Sequence, residues 1–219
     1  KKYGKAPFPN VSTLTEAPYD FMADQLRSFT GISKDIKRMP EKVLAALDAV
    51  LPIMVKAGIP APGKPANKLN RVFIPLHMAP YMNKKDFERF YWPTFKALVD
   101  ELDALGYGID LFVEQDWTRF IDYLAELPRG CCMIVEYGDP KIFKEKLGDK
   151  FILSGFYPMS LLKTGTEKEC IDKASELLDI LAPEGNYVFH LDKAIIRIKD
   201  LNPDNYKAVI DYVAKNGKY

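Results

Sequence analysis

The stretch Asp110-Leu111-Phe112-Val113-Glu114-Gln115-Asp116-Trp117 decides how this chain is read. Three apolar residues end abruptly in two carboxylates spaced one residue apart. An apolar run bounded by acids is the pattern of a buried parallel strand that presents polar groups at its C-terminal end. Side chains two apart in an extended segment share a side, so Glu114 and Asp116 can converge on one point. The competing reading is that both carboxylates cap the helix that follows.

Working outward, the same rhythm recurs. Val72-Phe73-Ile74-Pro75-Leu76 is an apolar run ending at His77, and Cys131 to Val135 ends at Glu136-Tyr137. Phe151 to Ser154 ends at Gly155-Phe156-Tyr157, and Tyr187-Val188-Phe189 ends at His190-Leu191-Asp192-Lys193. Helical segments with local start signals separate these runs. Asn83 precedes Asp86 by three residues, Asp139 and Asn202 each precede a proline, and Thr166 with Glu169 has the spacing of a capping box. The long helix after Asn83 carries Phe87, Phe90, Phe95, Leu98 and Leu102 before Gly106 ends it. A further helix is read from Trp117 to Leu127, and Tyr206, Val209, Ile210 and Val213 give the last helix its apolar face.

Upstream, residues 1–18 carry Pro7, Pro9 and Pro18 and read as an irregular arm. Phe21, Met22, Leu26 and Phe29 lie at helical spacing, with Gly31 as a stop, and a second helix starts at Pro40 and runs to about Lys56. Three prolines in Gly58 to Pro65 make that segment a loop. The expected division is a helical segment over residues 1–70 and βα units over 71–219.

Strand and helix in alternation with short loops predict an α/β fold with a parallel sheet, whose active groups gather at C-terminal strand ends. Those ends carry His77, Glu114, Asp116, Glu136, Tyr137, Tyr157, His190 and Asp192. Five strands are too few for an eight-stranded barrel. The chain is therefore either an open sheet or the later part of a (β/α)8 barrel.

Composition narrows the function classes. The chain has 219 residues, 47% of them hydrophobic, which suffices for one large domain or two small ones. Thirty-one basic against thirty acidic residues leave a net charge of +1, with no basic run to bind nucleic acid. No segment approaches the length of a membrane span and no signal peptide opens the chain. Three cysteines, two of them the neighbours Cys131 and Cys132, argue against a disulfide framework and for a reducing, cytoplasmic setting. Cys131, Cys132 and Cys170 are expected in the core. The chain does not begin with Met, which is compatible with a piece of a longer product; if the missing strands are really absent, the exposed sheet edge predicts a partner chain or a homodimer.

Pro75-Leu76-His77-Met78-Ala79-Pro80, Phe90-Tyr91-Trp92-Pro93, Leu153-Ser154-Gly155-Phe156-Tyr157-Pro158, Leu161-Leu162-Lys163-Thr164-Gly165-Thr166 and Asn202-Pro203-Asp204-Asn205-Tyr206 occur in that order. Their order and spacing resemble the uroporphyrinogen decarboxylase superfamily, which includes the decarboxylase and corrinoid-linked methyltransferases. The resemblance implies a TIM barrel of which these five strands are the last. The superfamily's zinc-dependent methyltransferases carry a His-x-Cys pair after the strand occupied here by 111–115 and another Cys after the last strand. Those positions fall on Glu114, Asp116 and Asp192, all oxygen ligands, which implies either a divalent metal site, zinc by resemblance, or a carboxylate cluster for acid–base work.

The resemblance thus implies a methyltransferase moving a methyl group between a small substrate and a corrinoid carried by a separate protein. His77, Tyr157 and His190 would act on the substrate, with Glu136 orienting a ligand. Decarboxylation of a porphyrin precursor is the second expectation. It is weakened by the acids at the strand ends, which would repel an acidic tetrapyrrole, and by Leu191-Asp192-Lys193 where the decarboxylases resemble one another in Gly-His-Gly. A non-catalytic barrel that binds a ligand or a partner protein is the third.

Overall fold

A computed structural model describes residues 10–60 and 68–217. Six strands form the sheet, β1 (Asn10–Leu14), β2 (Asn70–Leu76), β3 (Gly108–Asp116), β4 (Cys132–Tyr137), β5 (Ile152–Tyr157) and β6 (Tyr187–Leu191), and hydrogen-bonded neighbours follow that order. The pairs β1–β2, β4–β5 and β5–β6 are parallel. The α/β reading with a parallel sheet therefore holds, with six strands among the described residues where five were expected.

The strand missed in the sequence is β1, which lies inside the expected arm. Its five residues are too short for a period-two signal, and its register against β2 shifts between Val11 and Thr13. Two hydroxyls, one in the strand and one just past it, tie it to one following helix. Thr13 Oγ1 donates to the Gly58 carbonyl at 2.6 Å and Thr15 Oγ1 to that of Met54 at 2.7 Å. Both acceptors lie toward the C-terminal end of the helix Pro40–Gly58, and Gly58 is among its last four residues, whose carbonyls lack intrahelical donors.

The chain divides within β3 into two compact units, Lys1–Leu111 and Phe112–Tyr219. In the first, α1 (Pro18–Phe21) runs through a π-helical segment, Met22–Arg27, into α2 (Ser28–Arg38), followed by α3 (Pro40–Gly58). After β2, α4 (Lys84–Asp86) passes through a second π-helical segment, Phe87–Tyr91, into α5 (Trp92–Ala104). Val43 and Leu47 of α3, Phe95, Leu98 and Leu102 of α5, and Val72 and Ile74 of β2 are all buried.

The π segments correct the first helix reading. A π segment inserts a residue and turns the later face by roughly 100°, and at the end of the first one Ser28, with φ +61° and ψ 159°, leaves helical geometry altogether. Met22 is buried as expected, but Leu26 and Phe29 are about half exposed, and Ile32 and Ile36 take the core positions instead. Gly31 stops nothing, since α2 continues to Arg38. The second π segment has a covalent cause in Pro93, which has no N–H to close its turn on the carbonyl four residues back.

In the second unit, Thr118–Phe120 forms a 3₁₀ turn before α6 (Ile121–Leu124), shorter than the helix expected to Leu127. Then come α7 (Pro140–Leu147), α8 (Met159–Thr164), α9 (Glu167–Leu181) and α10 (Pro203–Asn216). The local start signals all operate: Asn83, Asp139 and Asn202 each accept a backbone N–H, and Thr166 with Glu169 forms the reciprocal capping box. In the last helix Val209 is buried, whereas Ile210 is 36% exposed. Gly155 is required where it stands, with φ +85° and a position at which a Cβ would run into the Val135 carbonyl oxygen. The three cysteines are buried thiols. Most of the loop read over Gly58 to Pro65 lies outside the described residues, and no helix among the described residues is long and apolar enough to cross a membrane.

Candidate functional site

Two groups of polar residues form at strand ends, one in each unit. The first is built around Asp20, which has no exposed surface. Its Oδ2 accepts from the Tyr91 hydroxyl at 2.7 Å and from the His77 backbone N–H at 3.1 Å, while Oδ1 accepts from the Met78 N–H at 2.9 Å. One carboxylate thus fixes the turn at the end of β2 and a tyrosine of the second π segment. Burial pushes Asp20 up to about 7, against the hydrogen bonds from Tyr91, Met78 and His77, which pull it down.

His77 sits on this platform with its side chain 29% exposed. Its Nδ1 lies 2.6 Å from Oδ2 of Asp24, a residue of the first π segment. A carboxylate only accepts, so it holds the neutral imidazole with the proton on Nδ1 and makes Nε2 the basic nitrogen. Glu16 stands nearby, raised by burial and then by the charge of Asp24. Both π segments therefore contribute to one cluster, Asp24 from Met22–Arg27 and Tyr91 from Phe87–Tyr91. Such segments recur at functional sites because the extra residue re-aims side chains.

The second group lies in the other unit, at the ends of β3, β4 and β6. Lys193 donates to Glu136 Oε1 at 2.6 Å and lies 3.9 Å from Asp192 Oδ2. Glu136 Oε2 accepts the backbone N–H of Gln115 at 2.9 Å, and Gln115 has φ +60°. Burial pushes Glu136 up, but Lys193 and the Gln115 amide outweigh it and hold the carboxyl below its usual range. The Lys193 ammonium is held up first by its hydrogen bond to Glu136, then by the charges of Asp192, Glu136 and Glu114 against burial. Asp192 is raised, chiefly by burial.

These contacts redistribute the expected roles. His77 holds a position suited to proton transfer. Asp116 accepts the Thr118 N–H at 2.8 Å, which ties one of its oxygens to the turn ahead of the 3₁₀ segment. Asp192 Oδ1 accepts the Met159 N–H at 3.0 Å. Among the described residues no group of three or more His, Cys, Asp and Glu side chains is arranged to hold a metal ion. Glu114, Asp116 and Asp192 do not fit the divalent cation implied by the resemblance, because Asp116 is committed to its turn and Lys193 brings a positive charge to Glu136 and Asp192.

Tyr157 is fully buried, with its hydroxyl donating to the Cys170 carbonyl of α9 at 3.0 Å, so it packs rather than contacting a substrate. The cause is local: Gly155 and Phe156 both have positive φ and break the strand alternation. His190 is exposed, with Nδ1 2.8 Å from the Leu191 carbonyl. Asp110, inside the opening stretch, is a buried partner of Arg71.

Asp20, Asp24, Tyr91 and Lys193 were not found by reading the sequence as candidates. An acid inside Pro18-Tyr19-Asp20-Phe21, otherwise apolar, was the available signal, but acids are common in a helix's first turn because they complement its dipole.

The family model described as Uroporphyrinogen decarboxylase (URO-D) matches residues 11–216, nearly the whole chain. No curated protein matches significantly. The match spans both units and both strand-end groups, and agrees with the order of motifs from Pro75 to Tyr206: this chain belongs to the uroporphyrinogen decarboxylase (URO-D) family.

Proposed function

We propose that this chain is a methyltransferase that moves a methyl group from a small methylated oxygen or sulfur compound to a corrinoid carried by a separate protein. His77 is its proton-transfer group. The observation that carries the reading is His77 at the end of β2, with Nδ1 held by Asp24 and the adjoining backbone held by buried Asp20. As the carbon–heteroatom bond breaks, the leaving oxygen or sulfur gains negative charge, and protonated Nε2 supplies its proton. Asp24 stabilises the imidazolium, and Asp20 positions the turn without touching the substrate.

The corrinoid as methyl acceptor is proposed because the family includes corrinoid-linked methyltransferases. The geometry supports the acid–base role, since Nδ1 of His77 lies against Asp24 while Lys193 brings a positive charge to Glu136 and Asp192. The strand ends also disfavour an acidic tetrapyrrole, since the ammonium of Lys193 is already engaged by Glu136.

The experiment is an assay of methyl transfer from methylated alcohols, phenols and thiols to added cobalamin, before and after dialysis against a chelator. Activity that survives chelation and is lost in His77→Gln supports the reading. Activity lost to chelation and restored by zinc returns the carboxylates to a ligand role. Conversion of uroporphyrinogen instead assigns a decarboxylase.

A further inference from the structure

The loop after β2 and the start of α2 enclose a cavity of about 190 Å³ in the first unit, and neither His77 nor Asp20 lines it. Its walls include Tyr19, Phe29 and Tyr81, three aromatic rings from three segments, with Lys37 and Asp86 beside them. Phe29 and Tyr81 meet edge-to-face with centroids 5.4 Å apart. They are nonetheless 49% and 62% exposed, whereas Tyr19 behind them is 2% exposed. A paired, half-exposed aromatic rim over a buried aromatic floor is costly surface for a folded chain to keep in water.

An ion pair stands at the edge of the cavity. Lys37 Nζ lies 2.6 Å from Asp86 Oδ2, a carboxylate that is largely buried and also accepts from Asn83. A helix N-terminus by itself disfavours a cation, but here Asp86 supplies the opposing charge within the first turn. Aromatic faces attract cations through their quadrupoles, most strongly where water is partly excluded.

We propose that this cavity is a binding site for a small methylated ammonium ion, whose methyl groups rest against Tyr19, Phe29 and Tyr81 and whose charge competes with Lys37 for Asp86. The site goes beyond the reaction proposed above and does not depend on it, because binding is read without turnover. A neutral apolar ligand would use the rings but not Asp86. An anionic ligand would use Lys37 and leave the aromatic faces without purpose.

Isothermal titration calorimetry of the full chain with choline and with its neutral isostere 3,3-dimethyl-1-butanol separates these cases. Choline is expected to bind about tenfold more tightly than the isostere, in line with a partly desolvated cation–π contact. Phe29→Leu and Tyr81→Leu are each expected to weaken choline several-fold. Lys37→Gln is expected to strengthen it, because the internal competitor for Asp86 is gone. All three positions are at the surface, so unchanged thermal unfolding serves as the folding control. Equal affinity for the two ligands, no heat from choline at millimolar concentration, or weaker choline binding in Lys37→Gln overturns the proposal.

Discussion

The turn after β2 and the ends of β3, β4 and β6 are both acid-rich strand ends, yet they handle charge in opposite ways. At the first, Asp20 is fully buried and accepts from a tyrosine hydroxyl and two backbone N–H groups, and burial pushes it up to about 7. At the second, Glu136 sits against Lys193 and is held low. The first site therefore holds an acid, Asp20, whose protonation is open to change near neutral pH. The second is a compensated ion cluster that changes little. A compensated pair suits anchoring, while the proton-transfer role at the first site rests on the placement of His77 against Asp24.

The largest expected effect follows from that difference. His77→Gln should reduce methyl transfer by about 10²–10⁴-fold, the usual worth of a positioned acid or base. Asp24→Asn should cost less, since it removes the orienting acceptor and leaves the imidazole. Glu136→Gln should leave turnover near wild type. Equal losses from His77→Gln and Glu136→Gln would erase the functional contrast between the two strand ends.

Stability should divide the same way. Asp20→Ala deprives the Tyr91 hydroxyl and the His77 and Met78 amides of their acceptor, at roughly 1–3 kcal/mol for each buried group, so a loss on the order of 4 kcal/mol is expected in urea denaturation. Loss of less than about 1 kcal/mol would mean that water replaces the carboxylate readily.

Asp20 also fixes the sign of a pH dependence. An unfolded aspartate titrates near about 4, and the folded one at about 7. Between those values the folded chain keeps a proton that the unfolded chain has lost, so this group's contribution to stability falls as pH rises from about 4 to 7. Lowered carboxylates such as Glu136 and Glu169 act in the opposite sense at more acid pH. The measurement is therefore the difference in slope between wild type and Asp20→Asn, and parallel slopes would refute the assignment.

Much of the second unit was legible because its signals are local. The caps at Asp139, Thr166 and Asn202 depend on residues two or three apart, and chemistry that close can be read directly from the chain. The Asp20 cluster was not legible, because its partners lie 57 to 71 residues away and two π segments re-aim the helices that carry them. Tyr157 was misread for a related reason: alternation in β5 stops at a left-handed pair, Gly155 and Phe156, and only the glycine announces it. His77 was found because a polar residue closing an apolar strand stands out without knowledge of its partners.

The smallest effects belong to the second strand-end group. Glu136→Gln removes the ion pair with Lys193, but that lysine side chain is 44% exposed, so solvent screening limits the loss to about 0.5–1 kcal/mol. The glutamine carbonyl still accepts the Gln115 N–H. Gln115→Gly goes the other way. Gln115 holds φ +60°, a left-handed conformation costing a non-glycine residue roughly 1–2 kcal/mol, which glycine adopts without that cost. The greater entropy of an unfolded glycine cancels part of the gain, leaving a net stabilisation of about 0.5–1 kcal/mol. If the strain serves only to aim Gln115 N–H at Glu136, turnover should be unchanged while the urea midpoint rises. A stabilised but slower enzyme would mean instead that this strained strand end takes part in the reaction, and the contrast with the His77 turn would have to be redrawn.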